Sequence, residues 1–346
     1  MKLYSFIRIL QMKKQSNYIL SSLLWISHFL TDALAAFVLT TITIAVRNST
    51  SSPVWYFSLD AVSYFFLYNF FAFFLQMFLG YFYDSLKGNA LFFRVSKQTV
   101  VLSFVFYILG VFFLSHHFFV STVLTGIGSC LFHLGSGNIA LVSQKRKASH
   151  LWIFASGWVI GLSFWGFAAV YFPTVVVWIV GLLIAIGWYI QREKAYVIET
   201  SEHIEKLEKK VRDIFPFIIV GLGSILIVRS TIWTHFQQAF WGNTQVLVSL
   251  AICAFFWKIL WGFLEDMPKF KEKYLWVFWV IALASLAIYS FLLHDLVFLF
   301  LWIVGIQLFV SPITYILYTY MKEWKSTIIG FTFWCSLVLG YLLLRV

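Results

Sequence analysis

The chain has 346 residues, of which 61% are hydrophobic and 11% are charged, and its formal net charge is +11. A soluble globular domain carries about 25% charged residues, so this composition excludes a soluble enzyme, a disordered chain and a disulfide-built secreted domain. The apolar runs are long and unbroken, and a helix needs about 20 apolar residues to cross a bilayer. The composition therefore predicts an all-α integral membrane protein with many spans.

Residues 1–17 form a basic and mildly amphipathic segment at the N-terminus. This segment is too short and too charged to cross a bilayer, and no small-residue cleavage site follows it. We therefore predict a cytoplasmic N-terminal segment rather than a cleaved signal peptide. Its composition is typical of a helix that lies on the membrane surface.

Eleven apolar segments follow in chain order, and each predicts a membrane-spanning helix. They cover residues 18–46, 54–83, 98–115, 118–143, 151–172, 174–191, 214–235, 244–264, 274–293, 295–320 and 326–344. The fifth and sixth segments are separated only around Pro173, a residue that interrupts helices.

Lysine and arginine fall almost entirely on one side of the predicted membrane. Of the 25 such residues, 21 lie in the N-terminal segment and in alternate loops, whereas only Arg47 and Arg345 lie on the opposite side. Positively charged loops are cytoplasmic, so we predict a cytoplasmic N-terminus and an external C-terminus in the plasma or inner membrane. The positive charge is therefore a topology signal that adds attraction to anionic lipid, and we expect no nucleic-acid partner.

The longest loop, 192–213, is charged and divides the chain unequally. Glu202/Lys206 and Glu205/Lys209 are spaced to stabilise a helix in it. It separates a six-helix half, 18–191, from a five-helix half, 214–346. A charged cytoplasmic linker after the sixth span is typical of a protein built from two structural repeats.

The two predicted halves share a short motif at the cytoplasmic end of their second helices. Gly80 and Asp84 end the second span, and Gly262 and Asp266 end the eighth, each pair with three residues between. Glycine permits the close approach of another helix, and the aspartate lies one turn later at the membrane surface. The alternative is that these are ordinary helix-end residues.

One carboxylate, Asp32, lies deep inside an apolar span, where a charged side chain costs at least ~2.5 kcal/mol. His28 precedes it by one helical turn, so the two side chains project from one face. Because histidine titrates near neutral pH, such a pair can share and pass a proton. The alternative is a structural polar pair that joins helices.

Four further polar residues lie within predicted spans. His133 lies mid-span among glycines that permit close packing or line a cavity, and a simple interhelical hydrogen bond is the alternative. Arg229 lies in the outer half of the seventh span, where snorkelling to the outer surface is the alternative. Gln307 lies in a helix-breaking stretch at mid-depth, a feature of transport sites. We expect Lys258 to snorkel to cytoplasmic water.

These motifs resemble the major facilitator superfamily. The paired Gly-x-x-x-Asp ends are similar to its loop motif between helices two and three and to the repeat of that motif. His28-x-x-x-Asp32 and Gly126-x-Gly128-x-x-x-Phe132-His133 resemble its fosmidomycin-resistance-like branch, although Leu134 stands where that branch usually has proline. The superfamily has twelve helices; a missing twelfth would indicate a fragment, a degenerate copy or a partner that supplies the uncovered face.

The resemblance implies a secondary active transporter, proton-coupled, that exports a small molecule by alternating access. Spans one, four, seven and ten line the central cavity in that family. The implied roles are proton coupling by Asp32 and His28, substrate binding by His133, Arg229 and Gln307, and conformational coupling by the two loop motifs. No catalytic residue, cofactor or metal is expected. The alternative function is a non-transporting membrane scaffold or an intramembrane enzyme derived from a transporter fold.

Overall fold

The computed structural model describes residues 2–48, 60–86, 89–143, 148–161, 171–192, 220, 223–224, 227, 244–265, 284, 297, 301 and 325–345. These residues are α-helical almost throughout. The helices are α1 (Lys2–Asn48), α2 (Ala61–Asn69), α3 (Leu75–Ser85), α4 (Asn89–Phe113), α5 (Phe118–Ser143), α6 (Ala148–Ile160), α7 (Thr174–Arg192), α8 (Thr244–Glu265) and α9 (Lys325–Arg345).

Helix α1 continues through the boundary that the sequence predicted. The backbone is helical without a break from Lys2 to Asn48, so residues 2–17 extend the first span instead of forming a separate surface helix. Only Ile19–Val46 of this helix is apolar enough to cross a membrane. An α-helix loses nothing by growing past the bilayer when its backbone hydrogen bonds stay internal, which explains why the basic segment continues it.

Local chemistry sets several other helix boundaries. The Asp60 carboxylate accepts a hydrogen bond from the Ser63 backbone at 2.7 Å and caps α2. A π-helical turn, Phe70–Phe74, joins α2 to α3. Helix α7 begins directly after Pro173, as the sequence predicted. Helix α4 begins at Asn89, nine residues before the predicted start, so Arg94 and Lys97 lie on its first turns rather than in a loop.

Five helical segments of the described part of the chain are long and apolar enough to span a membrane: Ile19–Val46, Ser63–Ser85, Ala90–Phe113, Phe118–Ala140 and Thr174–Arg192. They match predicted spans one to four and six. The predicted spans 214–235, 274–293 and 295–320 lie outside the described residues, apart from isolated positions, so the count of eleven stays a prediction.

The core lies where α1, α4, α5, α6 and α7 pack together. Glycines of α5 allow close approaches: a Cβ on Gly135 would lie 2.8 Å from the Ser96 carbonyl oxygen of α4, and one on Gly126 would lie 2.8 Å from the Tyr68 carbonyl oxygen of α2. The outward faces carry large apolar side chains, such as Trp178, which is 75% exposed. This is the surface that a lipid environment requires.

The helices before and after the undescribed central stretch pack against each other in two places. Helix α6 packs against α8, and α3 packs against α9. In the second contact, a Cβ on Gly330 would lie 2.8 Å from the Gln76 and Met77 backbone. The Phe73 and Phe333 rings stack beside it at 5.5 Å. These two contacts join the residues of the predicted halves.

Candidate functional site

Three titratable side chains lie close together where α1, α5 and α6 pack against one another. His28 Nε2 lies 3.1 Å from an Asp32 carboxylate oxygen, because the i,i+4 spacing on α1 places both on one face. His28 Nε2 also lies 3.2 Å from His133 Nε2 of α5. Each of the three residues offers one atom of a type that binds metal ions, and these three atoms all lie within 4.8 Å of one another. We call this group the His–Asp–His cluster.

Backbone carbonyls hold both imidazole rings in one orientation. The Nδ1 atom of His28 lies 2.8 Å from the Phe154 carbonyl oxygen of α6. That of His133 lies 2.8 Å from the Ser129 carbonyl oxygen of its own helix. A carbonyl oxygen only accepts hydrogen bonds, so each Nδ1 must carry the hydrogen. In the neutral rings the two Nε2 atoms are therefore acceptors, and they face each other.

The cluster is enclosed on most sides. His28 and Asp32 are 2% and 3% exposed, whereas His133 is partly open. The Asp32 oxygen nearest His28 makes an ion-pair distance but no directed hydrogen bond within the described part of the chain. Tyr68 of α2 and Tyr107 of α4 are buried titratable groups that, like His133, interact electrostatically with this carboxylate. Such enclosure strengthens every electrostatic interaction inside the cluster.

Helix α6 approaches the cluster through two glycines, Gly157 within the helix and Gly161 directly after its end. A Cβ on Gly157 would lie 2.9 Å from the Trp25 carbonyl oxygen, and one on Gly161 would overlap the Phe29 carbonyl oxygen and lie 3.2 Å from the Asp32 Cβ. The Phe154 ring stacks on the His28 imidazole, with centroids 4.4 Å apart. These contacts explain how the Phe154 carbonyl comes within hydrogen-bonding distance of His28.

The role of α6 in the His–Asp–His cluster was not predicted from the sequence. Gly157 and Gly161 have the small-xxx-small spacing that marks close helix contacts in membranes, and this signal was present in the sequence. Nothing in the sequence, however, indicates that the Phe154 and Ser129 carbonyls orient the two histidines. Main-chain acceptors are available at every residue, so only the tertiary structure selects these two.

Of the other predicted site residues, some lie in the described helices and others lie outside the described residues. Gly80 and Gly262 are buried near the ends of α3 and α8. The Asp84 carboxylate accepts hydrogen bonds from the Thr327 backbone N–H at 3.1 Å and from its hydroxyl at 3.0 Å, at the first turn of α9. Arg229, Gln307 and Asp266 lie outside the described residues.

The expectation for Lys258 was wrong. Its side chain is only 4% exposed and does not reach toward open water. The ammonium group donates a hydrogen bond to the Ala155 carbonyl oxygen at 3.3 Å and lies 4.3 Å from the centre of the Trp158 ring. A carbonyl and an aromatic face both attract a cation, so α6 holds Lys258 at the α6–α8 contact.

These features define an all-helical, multi-pass membrane protein with a polar cluster buried between its helices. No family model matches the chain, and no curated protein matches it in sequence. Its structure is similar to that of the major facilitator superfamily transporter FucP in the outward conformation, with a TM-score of 0.66 and 14% identity, over 95% of this chain and 91% of that chain.

It is also similar to the human organic anion transporter MFSD10 (TETRAN). That match has a TM-score of 0.62 and 11% identity, over 94% of this chain and 91% of that chain. The chain therefore has an all-helical, major-facilitator-like fold, as the sequence motifs predicted, and the count of eleven spans stays a prediction. At sequence identities of 14% and 11%, these structural matches establish the fold alone.

Proposed function

We propose that this protein is a secondary active transporter that couples export of a small molecule to proton movement. The observation that carries the proposal is the convergence of three acceptors: two Nε2 atoms and the Asp32 carboxylate, enclosed between α1, α5 and α6. With both Nδ1 atoms committed to carbonyls, the neutral rings and the charged carboxylate repel one another. One proton among them turns that repulsion into hydrogen bonds, so the cluster has the geometry to hold and share a proton.

His133 belongs to the proton group in this proposal as well as to the substrate side. Its Nε2 atom is 3.2 Å from that of His28, within the range over which a proton is transferred. It is also the most exposed of the three, and so the member that faces a substrate or entering water. Asp32 and His28 hold the proton, and His133 connects them to the cavity.

The two packing contacts between the helices before and after the central stretch support alternating access. Asp84 of α3 bonds to the first turn of α9, and Lys258 of α8 bonds to α6. By the charge distribution these ends are cytoplasmic. We infer that halves 18–191 and 214–346, joined by the linker 192–213, close here on the cytoplasmic side, and that the opposite state requires both contacts to separate.

Substrate recognition is assigned to the cavity helices. His133 lies on α5, and we assign Arg229 and Gln307 to the same cavity from their places in the seventh and tenth predicted spans. An arginine within a span needs an anionic partner when water is excluded. Asp32 or an acidic group of the substrate can be the anionic partner of Arg229. The branch assignment within the superfamily rests on the motif around His28 and His133.

The alternatives of a membrane scaffold or an intramembrane enzyme are less well supported. Both solved structures described above are transporters, which favours transport. A scaffold also has no need for a buried carboxylate beside two oriented histidines, since such groups are costly in a membrane unless they function.

Reconstitution tests the proposal directly. The purified protein in vesicles containing a pH-sensitive dye is challenged with a panel of small anionic, neutral and cationic organic compounds, with a chelator present throughout. We expect at least one compound to drive a proton flux that vesicles without protein do not show. Movement of a compound with no accompanying proton flux would contradict the coupling, and the absence of both would contradict transport of these classes.

A further inference from the structure

We propose that the His–Asp–His cluster is also a binding site for a divalent transition-metal ion of the Zn²⁺ class. The ligands are Nε2 of His28, Nε2 of His133 and the carboxylate of Asp32. This site does not depend on the proposed transport activity, since metal binding at equilibrium needs no turnover.

The spacing of the three atoms fits a metal ion. Ligand atoms bonded to Zn²⁺ at about 2.1 Å in a tetrahedral arrangement lie about 3.4 Å apart. His28 Nε2 is 3.2 Å from His133 Nε2 and 3.1 Å from the Asp32 oxygen, and all three atoms lie within 4.8 Å of one another. Shifts of a few tenths of an ångström bring the two distances from His28 Nε2 to the ideal value.

The surroundings orient the rings as a metal site requires. A histidine that binds a metal usually donates its other ring N–H to a carbonyl or carboxylate, which fixes its tautomer. Both rings do so here: His28 to the Phe154 carbonyl oxygen and His133 to the Ser129 carbonyl oxygen, each at 2.8 Å. Two independent helices thus present unprotonated Nε2 atoms to one point. A merely packed histidine has no need for this arrangement.

The donor set selects the class of ion. Two imidazole nitrogens and one carboxylate oxygen suit Zn²⁺, Co²⁺ and Ni²⁺, whereas Mg²⁺ and Ca²⁺ prefer oxygen ligands. Three protein ligands leave a fourth position for water or for a donor atom of a substrate. The partly open His133 side of the cluster can supply access to that position. The ion would also compete with the coupling proton, because metal ligands must be unprotonated.

Metal binding to the purified full chain tests the proposal. Co²⁺ serves as a spectroscopic probe and Zn²⁺ as a competitor, with bound metal measured by mass spectrometry after equilibrium dialysis. We expect one Co²⁺ per chain with the visible spectrum of a four- or five-coordinate site, displaced by Zn²⁺ and not by Mg²⁺. His28→Ala, His133→Ala and Asp32→Asn should each weaken binding at least ~10–100-fold, as loss of even supporting groups does.

Two further variants make the result decisive. His116→Ala/His117→Ala removes the adjacent exposed histidines of the turn between α4 and α5 and should bind Co²⁺ as wild type does. His133→Cys keeps a ligand and should add a thiolate-to-Co²⁺ charge-transfer band, which a misfolded protein or a surface site would not give. The proposal is overturned if wild type binds no Co²⁺, if binding is lost in the double variant, or if the three cluster variants bind as tightly as wild type.

Discussion

Asp32 is the residue on which the proposed coupling depends. It lies at a depth where an ionised carboxylate is costly, and its nearest neighbour is a histidine that points an acceptor nitrogen at it once the Phe154 carbonyl has taken the other ring hydrogen. A proton shared among these groups removes both the cost of the buried charge and the repulsion between the facing acceptor atoms. Loss of the carboxylate should therefore separate proton movement from substrate movement.

We predict that Asp32→Asn abolishes proton-driven transport to the level of protein-free vesicles. Substrate exchange without a proton gradient should be retained, because asparagine has the shape and neutrality of the protonated acid. The measurement is paired proton-flux and tracer-exchange assays in reconstituted vesicles. Asp60→Asn, which changes an exposed carboxylate that caps α2, is the matched control and should keep coupling, because asparagine caps a helix as well as aspartate does. Full coupling in Asp32→Asn would remove this residue from the proton path.

Lys258 carries the second prediction at this scale. Because its ammonium group is buried and bonded to the Ala155 carbonyl oxygen, we predict that Lys258→Ala lowers the free energy of unfolding by about 1–3 kcal/mol and reduces transport. Lys97→Ala is the control, since Lys97 bonds to the Gln191 carbonyl oxygen at an exposed position. Thermal unfolding in detergent compares them. Equal melting temperatures for the two variants would show that Lys258 is not held at this contact.

The sequence alone predicts part of the cluster. The i,i+4 spacing of His28 and Asp32 is a local signal, so their pairing followed from helical geometry. His133 is 105 residues from His28, and only its place on a predicted cavity helix connected them. No sequence pattern predicts that the three acceptor atoms converge, which is why no metal site was expected.

At the scale of elements, α6 determines how tightly the cluster is built. Gly157 of α6 and Gly161, directly after its end, face α1 over one turn, and the Phe154 carbonyl orients His28. The sequence predicted a span here from hydrophobicity, but hydrophobicity does not distinguish a lipid-facing helix from one whose backbone contacts a site. The spacing of the glycines is the sequence signal that distinguishes these two kinds of helix. It can be interpreted only when the helix that packs against the glycines is known.

We predict that Gly161→Val destabilises the protein by about 1–3 kcal/mol, a usual cost of overpacking. The added side chain meets the Phe29 carbonyl and the Asp32 Cβ, which are backbone-held and cannot rotate away. The displacement of α6 should also weaken Co²⁺ binding. Gly181→Val on α7 is the control, because nothing in the described structure lies within 4 Å of a Cβ there. A normal melting temperature and normal Co²⁺ binding in Gly161→Val would contradict the α1–α6 packing.

At the scale of the whole molecule, the fold followed from the sequence because membrane insertion imposes strong constraints. Unbroken apolar runs fix where helices lie, and the charge of the loops fixes their direction. Boundaries were predicted less well: α1 and α4 both extend beyond their apolar parts, since a polar helix end costs nothing once it is in water. The contacts of α3 with α9 and of α6 with α8 join residues about a hundred or more apart, and only the motif at Asp84 indicated one of them.

The contact of Asp84 with α9 is the feature that connects the whole molecule to the proposed transport cycle. The first N–H groups of a helix lack partners within that helix and carry a partial positive charge. The Asp84 carboxylate accepts the Thr327 N–H and the Thr327 hydroxyl hydrogen, and so it caps a helix of the other proposed half. This bond exists only while the two helix ends are together, so in the proposed cycle it stabilises the cytoplasm-closed state alone.

We predict that Asp84→Ala shifts the population toward the cytoplasm-open state. A cap of this kind contributes about 1–2 kcal/mol, equivalent to a factor of about 5–30 in population. Thr327→Val should shift it less, because the backbone N–H remains. Thr332→Val on the same helix is the matched control, since its hydroxyl bonds to the Ile328 carbonyl of α9 itself.

Distances between spin labels at Ser85 and Phe331, which are exposed on α3 and α9, report the separation of the two ends. The long-distance component should grow in the order wild type, Thr327→Val, Asp84→Ala, and it should be unchanged in Thr332→Val. A cap that stabilised only the folding of α9 would instead lower the melting temperature of Asp84→Ala and leave the distance distribution as in wild type. The spin-label distribution therefore distinguishes a conformational role for Asp84 from a structural one.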